Sequence, residues 1–138
     1  GTGKFTDVGD KAGVRGKDGY GVAWADFDND GDLDLSTSSA LMRNRGNQGT
    51  WIKIRAVGDG DSNDAAIGAR ITVTAGEKTY VREVQAGNSG NQNPLLTHFG
   101  LGKHEGAVNV QVRFPSGKIV TQTANSQTTT EILESTAN

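Results

Sequence analysis

Apolar residues in this chain recur at every second position, in short runs broken by turn-forming residues. WIKIRAV (Trp51 to Val57) puts Ile52, Ile54 and Ala56 on one face and Lys53 and Arg55 on the other. ARITVTA (Ala69 to Ala75) alternates in the same way through Ile71 and Val73, and the turn AGEK leads into KTYVREVQA, which predicts a hairpin. AVNVQVRF (Ala107 to Phe114) aligns Val108, Val110, Val112 and Phe114 on one side; PSG then turns the chain into KIVTQTA, a second hairpin. TTTEIL adds a last strand rich in β-branched residues. A 3.6-residue apolar stripe is missing from every long window, and the best helical candidate is the short piece SSALMRN, Ser38 to Asn44. The pattern therefore predicts an all-β chain, folded as an antiparallel β-sandwich or a barrel-like domain.

Composition narrows the reading. The 138 residues amount to one domain, or one domain with a short appended module. Only 33% are hydrophobic and 20 are Gly, so the core is lean and calls for support from turns, a metal or a partner. Cysteine is absent, which excludes disulfides and thiolate metal sites. No apolar run approaches the roughly 18 residues of a membrane span, and no signal peptide is present. The opening on Gly1 rather than Met reads as a processed or trimmed product. The net charge of -2 conceals an uneven distribution, because setting aside five clustered aspartates leaves 11 acids against 14 bases. Those bases are scattered, whereas nucleic acid demands a concentrated basic face.

The clustered aspartates form DFDNDGDLD, Asp26 to Asp34, with a carboxylate at every second residue and Gly31 at the sixth place. A hard cation such as Ca2+ takes six to eight oxygens, and alternate residues of a tight loop can all face it. Asp26, Asp28, Asp30 and Asp34 are the expected side-chain ligands, with Asp32 contributing its carbonyl beyond the sharp turn at Gly31. An EF-hand would need Glu at the twelfth position, where Thr37 stands, so Asp34 closes the shell instead. Magnesium keeps more of its waters and suits this set less well. A plain solvated acidic turn is the competing reading, since Asp, Asn and Gly are ordinary turn formers.

FTDVGDKAG and GYGVAWADFDNDGDLDL together resemble an FG-GAP repeat, also called VCBS, the calcium-loop unit of integrin-type β-propellers. The signature Asp-x-Asp-x-Asp-Gly-x-x-Asp is met by Asp26, Asp28, Asp30, Gly31 and Asp34. AIGARITVTAG, REVQAG, HFGLG and VQVRFPSGK, in that order, resemble the ASPIC/UnbV domain that follows such repeats in bacterial proteins. Phe114 stands where that family usually carries Trp. The resemblance implies two parts, a calcium-binding unit over residues 1–48 and a β-domain over 49–138, in an extracellular, non-catalytic module. One repeat cannot close a propeller. Its apolar residues Phe5, Val8, Val14, Val22, Trp24, Leu33 and Leu35 therefore need cover, expected from the chain's own β-domain and otherwise from another subunit.

The remaining chemistry is sparse. His98 and His104 flank a Gly-Leu-Gly turn without a nucleophile motif, so both read as structural and the chain as no enzyme. Asp59, Asp61 and Asp64 in GDGDSND read as a polar turn rather than a second cation site. Tyr20, Trp24, Trp51 and Tyr80 could line a sugar platform but read as core, and Arg82 and Glu83 as an exposed charge pattern. The expected function is adhesion or partner binding by a secreted, calcium-binding module. The alternatives are a structural subunit of a fibre or array joined through its N-terminal unit to other protein subunits, and a carbohydrate-binding module for extracellular glycan.

Overall fold

A computed structural model of the chain describes residues 2–16, 21–46, 49–88, 91–92 and 94–136. Among the described residues twelve strands follow one another: β1 (Val22–Ala25), β2 (Asp34–Thr37), β3 (Leu41–Met42), β4 (Thr50–Val57), β5 (Arg70–Ala75), β6 (Lys78–Glu83), β7 (Gly87–Asn88), β8 (Asn91–Gln92), β9 (Leu96–Gly102), β10 (Ala107–Arg113), β11 (Ile119–Asn125) and β12 (Thr128–Leu133), before a 3-10 turn, Glu134–Thr136. The all-β class is borne out. Among the described residues no helix is long and apolar enough to cross a membrane.

Two sheets make the sandwich, one in the order β11-β10-β5-β6 and the other β12-β4-β9. Both expected hairpins form, β5 with β6 and β10 with β11. Alternation then decides what is buried: Ile71, Val73, Val108, Val110, Val112 and Phe114 face Ile52, Ile54, Phe99, Leu101 and Ile132 in one shared core. Each large side chain so buried contributes about 1.5–3 kcal/mol.

The sheets are not purely antiparallel. β12 runs parallel to β4, with Thr128 opposite Ile52 and Leu133 opposite Val57. The cause lies in the link after β11. Gln127 adopts φ 59° and its N–H donates to the Trp51 carbonyl at 2.6 Å, so the chain leaves one sheet and enters the other along β4. The expected helix at Ser38 to Asn44 is also corrected. Thr37 and Ala40 close a tight turn through the Thr37 N–H and Oγ1, and Leu41–Met42 pairs with Leu35 and Ser36 as a strand. Thr37 Oγ1 satisfies the turned backbone, which favours the turn over a helical start.

A third sheet, β1-β2-β3, carries the aspartate loop between its first two strands. Its apolar residues are covered less than expected. Phe5 is 97% exposed and Trp24 56%, with Val8, Val22, Phe27 and Leu41 also exposed. Trp24 is thus not core, whereas Tyr80 is half-buried against the core. Tyr20 lies outside the described residues.

Candidate metal centre

The aspartate loop first holds itself. Asp28 Oδ1 accepts the Asp30 N–H at 3.3 Å, Asp30 Oδ1 the Asp32 N–H at 3.0 Å and Asp26 Oδ2 the Gly31 N–H at 3.0 Å. Asp34, buried at the start of β2, clamps both ends, taking the Phe27 N–H at 3.0 Å and the Asn44 N–H at 2.7 Å. Asn29 (φ 62°) and Gly31 (φ 95°) supply the left-handed turns that fold the carboxylates inward. The result brings oxygens of Asp26, Asp28 and Asp34 within 4.8 Å of one another.

Asp30 and Asp32 stand apart from this trio. Arg43, just beyond β3, places Nη2 2.9 Å from Asp30 Oδ2 and Nε 2.5 Å from Asp28 Oδ2, the second contact without hydrogen-bond geometry. That guanidinium, followed by the Asp32 N–H, holds the Asp30 carboxyl below the ordinary carboxylate range. The carboxylate of Asp32 lies against Gly46. Asp26 Oδ1 is buried and has no hydrogen-bond partner.

Side chains of β4 and β9 meet the loop from outside it. Lys53 points away from the core of its own sheet, yet its side chain is only 4% exposed because the loop covers it. Its ammonium sits 2.7 Å from Asp26 Oδ2, 3.0 Å from Asn29 Oδ1 and 4.9 Å from the centre of the Trp51 ring. The Asp26 side chain is wholly buried. His98 on β9 reaches Gly31: its Nε2 lies 2.7 Å from the carbonyl, which can only accept, so Nε2 carries the proton. Burial pushes the His98 imidazolium below its ordinary value, against the opposing pull of that carbonyl and of Asp26. Gly31 is required twice, since a Cβ there would also overlap the Trp51 indole. None of these β-domain neighbours was marked by the loop's own spacing, and a lysine opposite an apolar strand face is ordinarily solvated.

The other candidates make bonds within the fold. His104 Nε2 pairs with the Ala107 carbonyl at 3.1 Å. In GDGDSND, Asp59 accepts the Ser135 N–H at 2.7 Å, Asp61 pairs with Lys118 at 3.1 Å, and the Asp64 carbonyl takes the Gly58 N–H at 3.2 Å. Ser62 donates from N–H and hydroxyl to buried Glu134, which Ser116 also meets. These bonds fasten the long loop to the C-terminal turn. A cleft of about 260 Å³ runs along the seam beside the aspartate loop, lined by Trp24, Asp26, Lys53, Arg82, Glu83 and His98 among others.

Comparison with known proteins supports the ASPIC/UnbV resemblance. A family model described as ASPIC and UnbV matches residues 58–138. Cartilage acidic protein 1 of Mus musculus is 33% identical over 127 residues, covering 84% of this chain and 19% of that protein. Cartilage acidic protein 1 of Homo sapiens gives the same figures. The chain thus spans about a fifth of the length of these relatives. No solved structure matches.

Proposed function

Because the chain belongs to the ASPIC and UnbV family, we propose that it is an extracellular, non-catalytic β-module that binds calcium through an FG-GAP/VCBS-type loop and works by adhesion or partner binding. The observation that carries the metal reading is Asp26 Oδ1, a buried carboxylate oxygen left without a partner beside two further carboxylates. Buried acceptors are ordinarily satisfied, and an orphan in an acidic cluster fits a cation. Five aspartates against Lys53 and Arg43 leave the site formally -3, which a divalent ion would reduce to -1. Asp26, Asp28 and Asp34 would hold it, with Asp30 joining on release from Arg43 and Asp32 through its carbonyl. An all-oxygen, multi-carboxylate donor set suits calcium better than magnesium. The location outside the cell is supported by the likeness to cartilage acidic protein 1.

Calorimetric titration with calcium tests this, alongside melting curves in calcium and in excess chelator. Calcium should raise the melting temperature, and Asp28→Asn and Asp34→Ala should weaken binding at least tenfold. Identical melting with metal and with chelator would refute the reading.

A second reading, a fibre or array subunit, is favoured by Val22 and Trp24, which are exposed at alternate positions and so share one face of β1. Exposed apolar side chains sharing one strand face are a feature of association surfaces. Electron microscopy and sedimentation of the full chain test it. Multimers that Trp24→Ser and Leu41→Ser disperse support assembly, whereas a monomer at high concentration rejects it.

A further inference from the structure

Asp26 divides its two oxygens. Oδ2 is committed to the Gly31 N–H at 3.0 Å and the Lys53 ammonium at 2.7 Å, while Oδ1 is buried and unpartnered. One carboxylate thus belongs at once to the acidic cluster and to the outer face of β4. The contact is desolvated, with the two side chains 0% and 4% exposed. Only the loop makes it so: lift the loop away, and Lys53 returns to water on the polar face of its strand. Asn29 Oδ1 at 3.0 Å, the Trp51 ring at 4.9 Å and the His98 bond to the Gly31 carbonyl complete the seat.

From this geometry we propose that Lys53 couples cation binding in the aspartate loop to the seating of that loop on the β4–β9 face. The proposal rests on the calcium reading above. Without the ion, the trio of Asp26, Asp28 and Asp34 repels itself, and that repulsion strains the loop against its seat. An ion on the free side of Asp26 removes the repulsion and fixes the carboxylate whose other side grips Lys53. Burying that pair is favourable only while both partners are held, because a buried charge that loses its partner is strongly destabilising. Binding energy spent in the loop therefore reaches the β-domain through one side chain. By linkage, a seated loop is in turn the better binder. Lys53 is a positioning residue here, since Asp26 stands between it and the cation.

Hydrogen exchange on the full chain tests the coupling, with calcium as the probe and calorimetry confirming saturation of each protein. In the wild type, calcium at about a hundred times its Kd should lower the population of the opened state on the order of a hundredfold. Slower exchange should then appear in the loop and equally at the amides of Lys53, Ile54, His98 and Phe99. In Lys53→Gln the ion should still bind, but slowing should be confined to residues 26–34. Asn29→Gly offers a milder cut, because it removes one acceptor of the ammonium at a position whose φ of 62° suits glycine. It should give an intermediate spread, and it decides the matter if Lys53→Gln fails to fold. Calcium binding with an undiminished spread in these variants overturns the coupling and leaves the calcium reading intact. Failure of the wild type to bind calcium removes both.

Discussion

Gly31→Ala is the sharpest probe of how the loop sits on the sheet. Two costs act at this residue and can be separated. The backbone stands at φ 95°, where an L-residue loses about 1–2 kcal/mol. The added methyl would also overlap the Trp51 indole, and forcing an extra methyl into a packed site costs about 1–3 kcal/mol more. The expected loss is therefore about 2–5 kcal/mol in the parent chain. In a Trp51→Ala background the indole is gone and only the backbone cost of about 1–2 kcal/mol should survive. Urea denaturation of the four proteins of this cycle, at one calcium concentration, gives the coupling energy directly. A coupling of about 1–3 kcal/mol is expected for residues in contact. Equal losses in both backgrounds would show that the indole does not rest on Gly31, and the docking of loop on sheet would fail with it.

Acid should loosen the same seam. Burial lowers the His98 pKa from its ordinary value of 6.5, so the unfolded chain binds this proton more readily than the folded one. Stability attributable to His98 should be intact above pH 6.5 and fall as the pH drops below it; urea midpoints between pH 7.5 and 5.5 should slope less in His98→Gln, and equal slopes would contradict the shift. Glu134→Ala should strand the donors of Ser62 and Ser116 that it now accepts. A lower melting temperature and faster exchange at the Ser135 amide are expected, and unchanged exchange would show that the C-terminal turn is held by other bonds. Trp24→Ala should lower the melting temperature less than Phe99→Ala does, because Trp24 is 56% exposed and Phe99 1%; an equal loss would mean that Trp24 is covered in solution.

What could be read from the sequence was local. The hairpins of β5 with β6 and β10 with β11 combine a period-two pattern with a turn between neighbours, so pattern and topology coincide. The aspartate loop was likewise legible as a tight turn, because the spacing of Asp, Asn and Gly within nine residues is a property of the loop alone, although only Asp26, Asp28 and Asp34 come together in it. Lys53 shows where this stops. Periodicity placed it opposite Ile52 and Ile54, correctly, but could not tell that another stretch of chain lies over that face. Trp24 failed for the converse reason, since an aromatic in a strand signals burial only if something covers its side of the sheet. Arg43 was passed over inside a supposed helical piece, and the turn that delivers it to Asp28 and Asp30 is closed by the Thr37 hydroxyl together with the Thr37 N–H. The parallel partner of β12 is equally non-local.

That parallel pairing has a consequence for how the chain reaches its fold. Ile52 lies opposite Thr128 and Val57 opposite Leu133, so β4 gains its partner on that side only when the far end of the sequence arrives. During synthesis the hairpins can close early, while one edge of β4 stays open until β12 emerges. Pairings of such long sequence separation are slow to form, because the loop-closure entropy is lost before any contact rewards it. The interval exposes Ile52 and Ile54 beside an open strand edge, the kind of surface on which nascent chains associate wrongly. Refolding should therefore show early protection in β10 and β11 and late protection in β4, with the aspartate loop seated last, since its anchors Trp51 and Lys53 lie on the strand that waits.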